Sequence, residues 1–188
     1  MLKAKEDLLV IAAQNGNDQA FAFLCKHYHV SLHRFAYKLS NDHQLAQDAV
    51  QNAWIKITKK LKDIEDPRAF KSWVFRAVRW CAYDLMRKSQ RQEELVEQEM
   101  LDSVASPQNV EDDNAENLHT LIALLPEIDK QAIYLFYLEE MKIVEIADIL
   151  QIASGTVKSR LNRARNMLRK LADEKLISSE QIVPEESK

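Results

Sequence analysis

Between Thr156 and Leu171 the chain carries six bases, Lys158, Arg160, Arg163, Arg165, Arg169 and Lys170, and no acid. Such side chains act on phosphate: they neutralise anionic oxygens and release condensed counterions, and an arginine fork can also read the acceptor edge of a base. Interleaved with them are Ser154, Thr156, Ser159, Asn162 and Asn166, small donors and acceptors that suit base edges or phosphate oxygens. Val157, Leu161, Ala164, Leu168 and Leu171 recur at steps of four and three as a helical core stripe. At roughly 100° per residue Ser159, Asn162, Arg163 and Asn166 point away from that stripe, while Lys158, Arg160 and Arg165 flank it, placed to reach phosphates. A helical hairpin with a merely solvated basic face is the competing reading. The complete absence of acids favours nucleic acid.

A second stretch, Pro67 to Lys88, mixes aromatic and basic residues. Phe70, Trp73, Ala77, Cys81 and Leu85 share one predicted buried stripe, and Arg76, Arg79 and Tyr83 face elsewhere with Phe75 near them. Aromatic rings among bases suit unstacked single-stranded nucleotides, where stacking and phosphate attraction act together. A helix packed on two sides would instead bury Phe75 and Tyr83. Cys25, His29 and His33 stand at i, i+4 and i+8, but ligands spread over about 12 Å of straight helix cannot share one tetrahedral ion, so no metal is expected. Asp84 and Lys88, one turn apart, read as an ion pair. No spacing suggests a Ser, His and Asp set, so neither a catalytic residue nor a cofactor is expected.

The elements that must position these residues are helices. Of 188 residues only two are glycine, Gly16 and Gly155, and four are proline. A dinucleotide-binding fingerprint or a phosphate-cradling loop cannot be written with so few glycines, and the frequent turns of a sandwich or barrel are missing. The class is all-α. Helical periodicity stops near Gly16, restarts with Asp18 as its cap, restarts again at Asn41-Asp42, and breaks over 62–67, where Asp66 and Pro67 open a helix running to about Gln90. From Asp42 to Leu61 one face collects Ala46, Val50, Ala53, Trp54, Ile57 and Leu61, and the opposite face holds Asp48, Gln51, Asn52, Ile55 and Lys59. After Leu118 come an apolar block broken at Pro126, a short stripe of Ile143, Ile146, Ala147 and Leu150, a turn of about three residues, and the basic helix with Ser154 as its cap. A short helix, a turn and a longer basic helix form the pattern of a helix-turn-helix, whose second helix enters the major groove.

Charge divides along the same lines. The net formal charge of −3 is made of +6 over residues 1–89, −8 over 90–117 and −1 over 118–188. The segment 90–117 has no aromatic residue and reads as an acidic linker. The expected layout is a helical domain at 1–89, the linker at 90–117, a second helical domain at 118–176 and a polar tail at 177–188. Cys25 and Cys81 are two thiols without a disulfide framework. The start is charged at once, and no run is apolar enough for a secretory signal or a membrane span, so a cytoplasmic protein is expected.

Taken together, the two halves resemble regions 2 and 4 of a bacterial extracytoplasmic-function sigma factor of the sigma-70 family. The resemblance rests on Ala20-Phe21, Asp48-Ala-Val-Gln51, Phe70-Lys-Ser-Trp73, Asp84-Leu-Met-Arg87, Leu125-Pro126, Glu145-Ile-Ala147 and above all Gly155-Thr-Val-Lys-Ser-Arg-Leu-Asn-Arg-Ala-Arg165. It implies a non-enzymatic subunit that binds RNA polymerase core through its clamp coiled coil and flap, recognises promoter DNA and helps to open it. The clamp face would be Asp48, Gln51, Asn52, Ile55 and Lys59, an exposed isoleucine among polar residues being typical of an interface anchor. The 62–69 loop would hold a base flipped from the minus-10 element, with Asp63, Arg68, Lys71, Arg76, Arg79, Trp80, Tyr83, Arg87 and Lys88 along the strand. Ser154, Thr156, Lys158, Ser159, Arg160, Asn162, Arg163 and Arg165 would read the minus-35 duplex. An anti-sigma factor is a further implied partner. Trp80, Gln151 and Asn52 stand where the family often has Asn, Gly and Glu. A helix-turn-helix regulator acting without polymerase and a helical protein-interaction adaptor are the alternatives.

Overall fold

A computed structural model describes residues 3–97, 121–122 and 124–180. Its helices are α1 (Lys3–Gln14), α2 (Asp18–Ser40), α3 (His43–Lys60), α4 (Phe70–Glu97), α5 (Glu127–Ile133), α6 (Ile143–Leu150) and α7 (Ser154–Glu180). Short 3₁₀ turns at Leu61–Asp63 and Pro67–Ala69 and a π-helical turn at Tyr134–Leu138 complete the regular structure, and no strand occurs among the described residues. The fold is all-α, as composition required. Two compact units form, one of α1 to α4 together with 144–151, the other of α5, the π turn and α7. Most of the acidic segment 90–117 and the tail beyond 180 lie outside the described residues.

The helix ends of the first unit follow from a few residues. Gly16 takes the left-handed conformation (φ 87°), and Asn17 donates its N–H back to the Ala12 carbonyl at 3.0 Å, closing α1 with the motif that glycine favours. Asn17, not the expected Asp18, caps α2, its side chain accepting the Ala20 N–H at 3.0 Å; Asp18 is already helical and adds its charge to the first turn. Asn41 ends α2 left-handed at φ 53°, and Asp42 caps α3 by accepting from Gln44 (2.7 Å) and Leu45 (3.1 Å). Asp66 accepts the Arg68 N–H at 3.0 Å and Pro67 follows at the first helical position, so this pair opens the turn that leads into α4.

α3 packs on both α2 and α4, which also pack on each other, and α1 covers α2 and the 61–69 turns. The predicted α3 stripe is buried at Ala46, Val50, Ala53, Ile57 and Leu61, while Trp54 stays at the rim with its ring edge-on to Phe21, 5.8 Å between centroids. The α4 stripe is rotated from the predicted one. Phe70, Val74, Phe75, Val78, Cys81 and Ala82 are buried, whereas Trp73, Ala77 and Leu85 are only half-buried. Phe75 decides the rotation: fully buried 5.4 Å from Phe35, it belongs to the core, where a phenylalanine contributes roughly 1.5–3 kcal/mol, and not to a nucleotide-facing surface. α4 also continues to Glu97 rather than ending near Gln90, since Arg91 to Glu97 contains no glycine or proline to break it.

In the second unit α5 packs on α7 and on the π turn. The widened turn is fixed by Glu139 donating to the Tyr134 carbonyl at 3.3 Å and Met141 to the Leu135 carbonyl at 3.0 Å, with Glu140 left-handed at φ 50°. One extra residue in the turn shifts the following side chains around the axis. Leu135 remains buried and Tyr137 and Leu138 emerge into solvent.

Candidate nucleic-acid interface

The basic helix α7 follows α6 through a turn whose geometry rests on Gln151. Its backbone is left-handed at φ 58°, a conformation that disfavours a side chain, and its amide donates to the Asp148 carbonyl at 2.6 Å, satisfying one of the carbonyls that α6 leaves open at its end. The Val157 N–H reaches the Ala153 carbonyl at 3.1 Å, so Ala153 precedes the helix and Ser154 is its first helical residue, not the cap expected for it.

Burial along α7 follows the predicted stripe at Val157, Leu161 and Ala164, with Leu168 and Leu171 half-buried. Lys158, Ser159 and Asn162 are exposed and Thr156 half-buried, and the Ser159 hydroxyl donates to the Thr156 carbonyl at 2.9 Å. Three of the bases are held by α5 and the π turn. Arg160 Nη1 donates to Asp129 Oδ1 at 3.0 Å, and Arg163 donates Nε and Nη2 to Asp129 Oδ2 at 2.9 and 2.5 Å. Arg165 Nε donates to the Tyr137 hydroxyl at 2.8 Å, and its guanidinium lies 5.5 and 5.8 Å from the Phe136 and Tyr137 ring centroids, within cation–π range. Asp129 itself is completely buried. Sequence reasoning missed it, although a signal existed: Leu125, Asp129, Ala132 and Ile133 share one helical face, and an acid on a core-facing stripe requires basic partners.

Arg76 of α4 donates Nη1 to Asp148 Oδ1 of α6 at 2.5 Å, while Arg87 and Lys88, with Arg68 just before the helix, are held locally. Lys88 and Arg87 reach the Asp84 carboxylate at 3.0 and 3.2 Å, and Arg68 grips Asp66 with Nε at 2.9 Å and Nη2 at 3.0 Å. The Lys88 hydrogen bond holds the Asp84 carboxyl below the usual range, and the Arg68 side-chain hydrogen bond does the same for Asp66. Arg79 lies over the Tyr83 ring, 5.0 Å from its centroid. Trp80 is 63% exposed, with Lys56 Nζ 5.3 Å from its ring centroid. Asp63 is exposed, and Lys71 and Arg76 are half-buried. An open groove lined by Asp63, Asp66, Arg68, Trp73 and Arg76 runs beside the 62–69 loop. That loop is pinned from behind by Gln14, whose amide donates to the carbonyls of Leu61 (3.0 Å) and Ile64 (2.8 Å).

On the outer face of α3, Gln51 and Lys59 are exposed, Ile55 is 50% exposed, Asn52 is half-buried, and Asp48 accepts from Gln44 at 3.2 Å. Gln51, Trp54 and Ile55 share a shallow groove with Cys25 and His29 of α2. Burial pushes the Cys25 thiol up to about 11 and raises that of Cys81. The His29 and His33 rings lie 6.4 Å apart, and no group of three metal-ligating side chains is gathered among the described residues. No described helix is long and apolar enough to cross a membrane.

Comparison with known proteins covers both basic helices. Residues 24–92 match the family described as Sigma-70 region 2, and residues 115–168 match Sigma-70, region 4. The ECF RNA polymerase sigma factor SigW of Bacillus subtilis is 27% identical over 170 residues, covering 84% of this chain and 91% of that protein. The RNA polymerase sigma-H factor of Pseudomonas aeruginosa is 29% identical over 184 residues, covering 90% of this chain and 95% of its own. Among solved structures, the sigma factor RpoE of Bartonella quintana, crystallised with the anti-sigma factor NepR, superposes with a TM-score of 0.64 at 29% identity, covering 81% of this chain and 96% of that one.

Proposed function

The chain belongs to the sigma-70 family, among its extracytoplasmic-function sigma factors, and from that premise we propose how its surfaces divide the work of promoter recognition. RNA polymerase core binds the α3 face of Asp48, Gln51, Asn52, Ile55 and Lys59, with Ile55 as the apolar anchor. The loop at 62–69 and the aromatic and basic surface of α4 take single-stranded minus-10 DNA as the duplex opens, Trp80 offering a stacking platform and Arg79 and Arg87 following the strand. Helix α7 enters the major groove of the minus-35 duplex.

The chain contributes binding energy and no catalysis. Polymerase holds two modest DNA-reading domains, 1–89 and 118–176, at high effective concentration on one promoter, and the spacing between elements adds selectivity. The acidic segment 90–117 tethers them. An anti-sigma factor that covered the Ile55 face would keep the subunit off polymerase, and both activities place the protein in the cytoplasm. What supports this reading most is that exposed nucleic-acid chemistry occurs separately in each matched region: Trp80 and its neighbouring bases in one, Lys158, Ser159 and Asn162 in the other.

Promoter-dependent transcription tests it. A bacterial core polymerase incubated with this chain and a library of randomised promoters should yield transcripts from templates sharing two sequence blocks, while core alone should not. Transcripts with no common sequence would contradict the reading. Tight duplex binding by the chain alone, without capture of core polymerase, would favour the regulator alternative.

A further inference from the structure

Asp129 has an unusual place in this molecule: a fully buried carboxylate whose partners are two arginines of the helix that meets DNA. The two arginines are not equivalent. Arg160 is mostly covered, its side chain 27% exposed, and it gives Asp129 a single hydrogen bond while its Nε finds no partner among the described residues. Arg163 gives Asp129 the whole of one guanidinium edge, Nε and one Nη2 hydrogen, and its side chain remains 57% exposed. A guanidinium carries five N–H donors in a rigid plane. With one edge spent on Asp129, the donors left are those of Nη1 and the second of Nη2, which form the terminal edge of the same plane. That edge can donate two parallel hydrogen bonds, as the O6 and N7 acceptors of guanine require.

We propose that Asp129 is a positioning residue for sequence readout: it clamps one edge of the Arg163 guanidinium so that the terminal edge meets a single guanine of the upstream duplex in a fixed orientation. The inference rests on the reading of α7 as the duplex-reading helix and adds the means by which one of its side chains discriminates. A long side chain that swings freely serves phosphate as well as base, since phosphate contact tolerates many orientations; Lys158, an exposed point charge on the same helix, suits that role. A guanidinium held on one side loses little freedom when it binds, and its angular tolerance is narrow. The buried carboxylate also offsets part of the positive charge of α7, trading sequence-independent attraction for selectivity.

The test uses core polymerase loaded with wild-type chain, Asp129→Asn or Arg163→Lys, each given the same randomised upstream promoter library, with the transcribed templates sequenced. Wild type should show a guanine preference at one upstream position. Both variants should lose about tenfold or more of that preference at that one position, keeping the other upstream preferences and all downstream ones. Asn keeps the shape of the side chain but not the charge that holds the fork, and Lys keeps the charge of Arg163 without its plane. A variant set with unchanged preference at every position and a uniform fall in transcription would overturn the proposal, because a scaffolding or phosphate role affects all templates alike. Should Asp129→Asn fail to fold, Arg163→Lys decides alone: retained guanine preference overturns the assignment. A wild-type chain with downstream preference and no upstream one would remove the duplex-reading role of α7 and this proposal with it, a result distinct from failure of the variants.

Discussion

Helices α4 and α7 are both basic and both expose part of that charge, yet most of their bases are held in different ways. On α7 the anchors come from other elements: a buried acid on α5 for Arg160 and Arg163, the rings and hydroxyl of the π turn for Arg165. On α4 most partners sit a turn away on the same helix, Asp84 for Arg87 and Lys88 and Tyr83 for Arg79, in contact with solvent; Arg76, which reaches Asp148 of α6 at 2.5 Å, is the exception. Anchors between elements fix a side chain in the frame of the fold; local pairs at the surface are screened and exchange readily with other anions. Rigid duplex DNA rewards a fixed set of donors. A strand whose bases leave the stack rewards an exposed aromatic surface and nearby charges held only by exchangeable surface contacts, and Trp80 with Arg87 and Lys88 supplies both.

The contrast can be broken at either helix. The largest effect is expected for Asp129→Ala, which leaves two guanidinium groups facing a buried site and should lower the stability of the second unit by about 2 kcal/mol, less than the roughly 3–5 kcal/mol of a fully buried pair because water reaches Arg163. The matching change Asp84→Ala should leave denaturation unaltered; a comparable loss there would erase the distinction. Next, Trp80→Ala should weaken binding of a single-stranded minus-10 oligonucleotide to the polymerase complex by about 1 kcal/mol or more without lowering the melting temperature, which calorimetry and a fluorescence titration can separate.

Lys158→Ala should reduce the dependence of complex formation on salt, the slope of log K against log salt falling by about one, with no change in preferred sequence. The smallest effect concerns pH. Asp66 and Asp84 titrate below their usual range, so each contributes stability above the unfolded carboxylate value near 4 that is lost as pH falls through the lower folded value. Neutralising that charge, as in Asp66→Asn or Asp84→Asn, should therefore change stability little at neutral pH and not at all once pH is well below both values, as acid titration of each variant beside the wild type would show.

Much of the fold is legible in the sequence, for identifiable reasons. Two glycines and four prolines exclude most fold classes, and the steps of four and three along α7 locate its buried stripe from spacing alone. Cap identity is off by one residue at Asn17, where two adjacent polar residues can each open the helix and only the hydrogen bond decides, and at Ala153, whose backbone carbonyl takes the first helical bond although it has no capping side chain. The α4 stripe is misplaced by periodicity since its apolar and aromatic residues surround the helix, and which side faces Phe35 is a tertiary matter that spacing cannot settle. Asp129 shows the sharpest limit. Charge counting puts the arginines of α7 on an open surface, whereas their partner lies thirty-one and thirty-four positions earlier and becomes visible only when α5 and α7 pack.

The division of labour between the two helices is tested most directly by permanganate footprinting of core polymerase on a promoter selected with this chain. With the chain bound, thymines should become reactive within the downstream element, where the strands part and bases leave the stack, while the upstream element stays protected as intact duplex. Reactivity identical with and without the chain, or strand opening at the upstream element, would contradict that division.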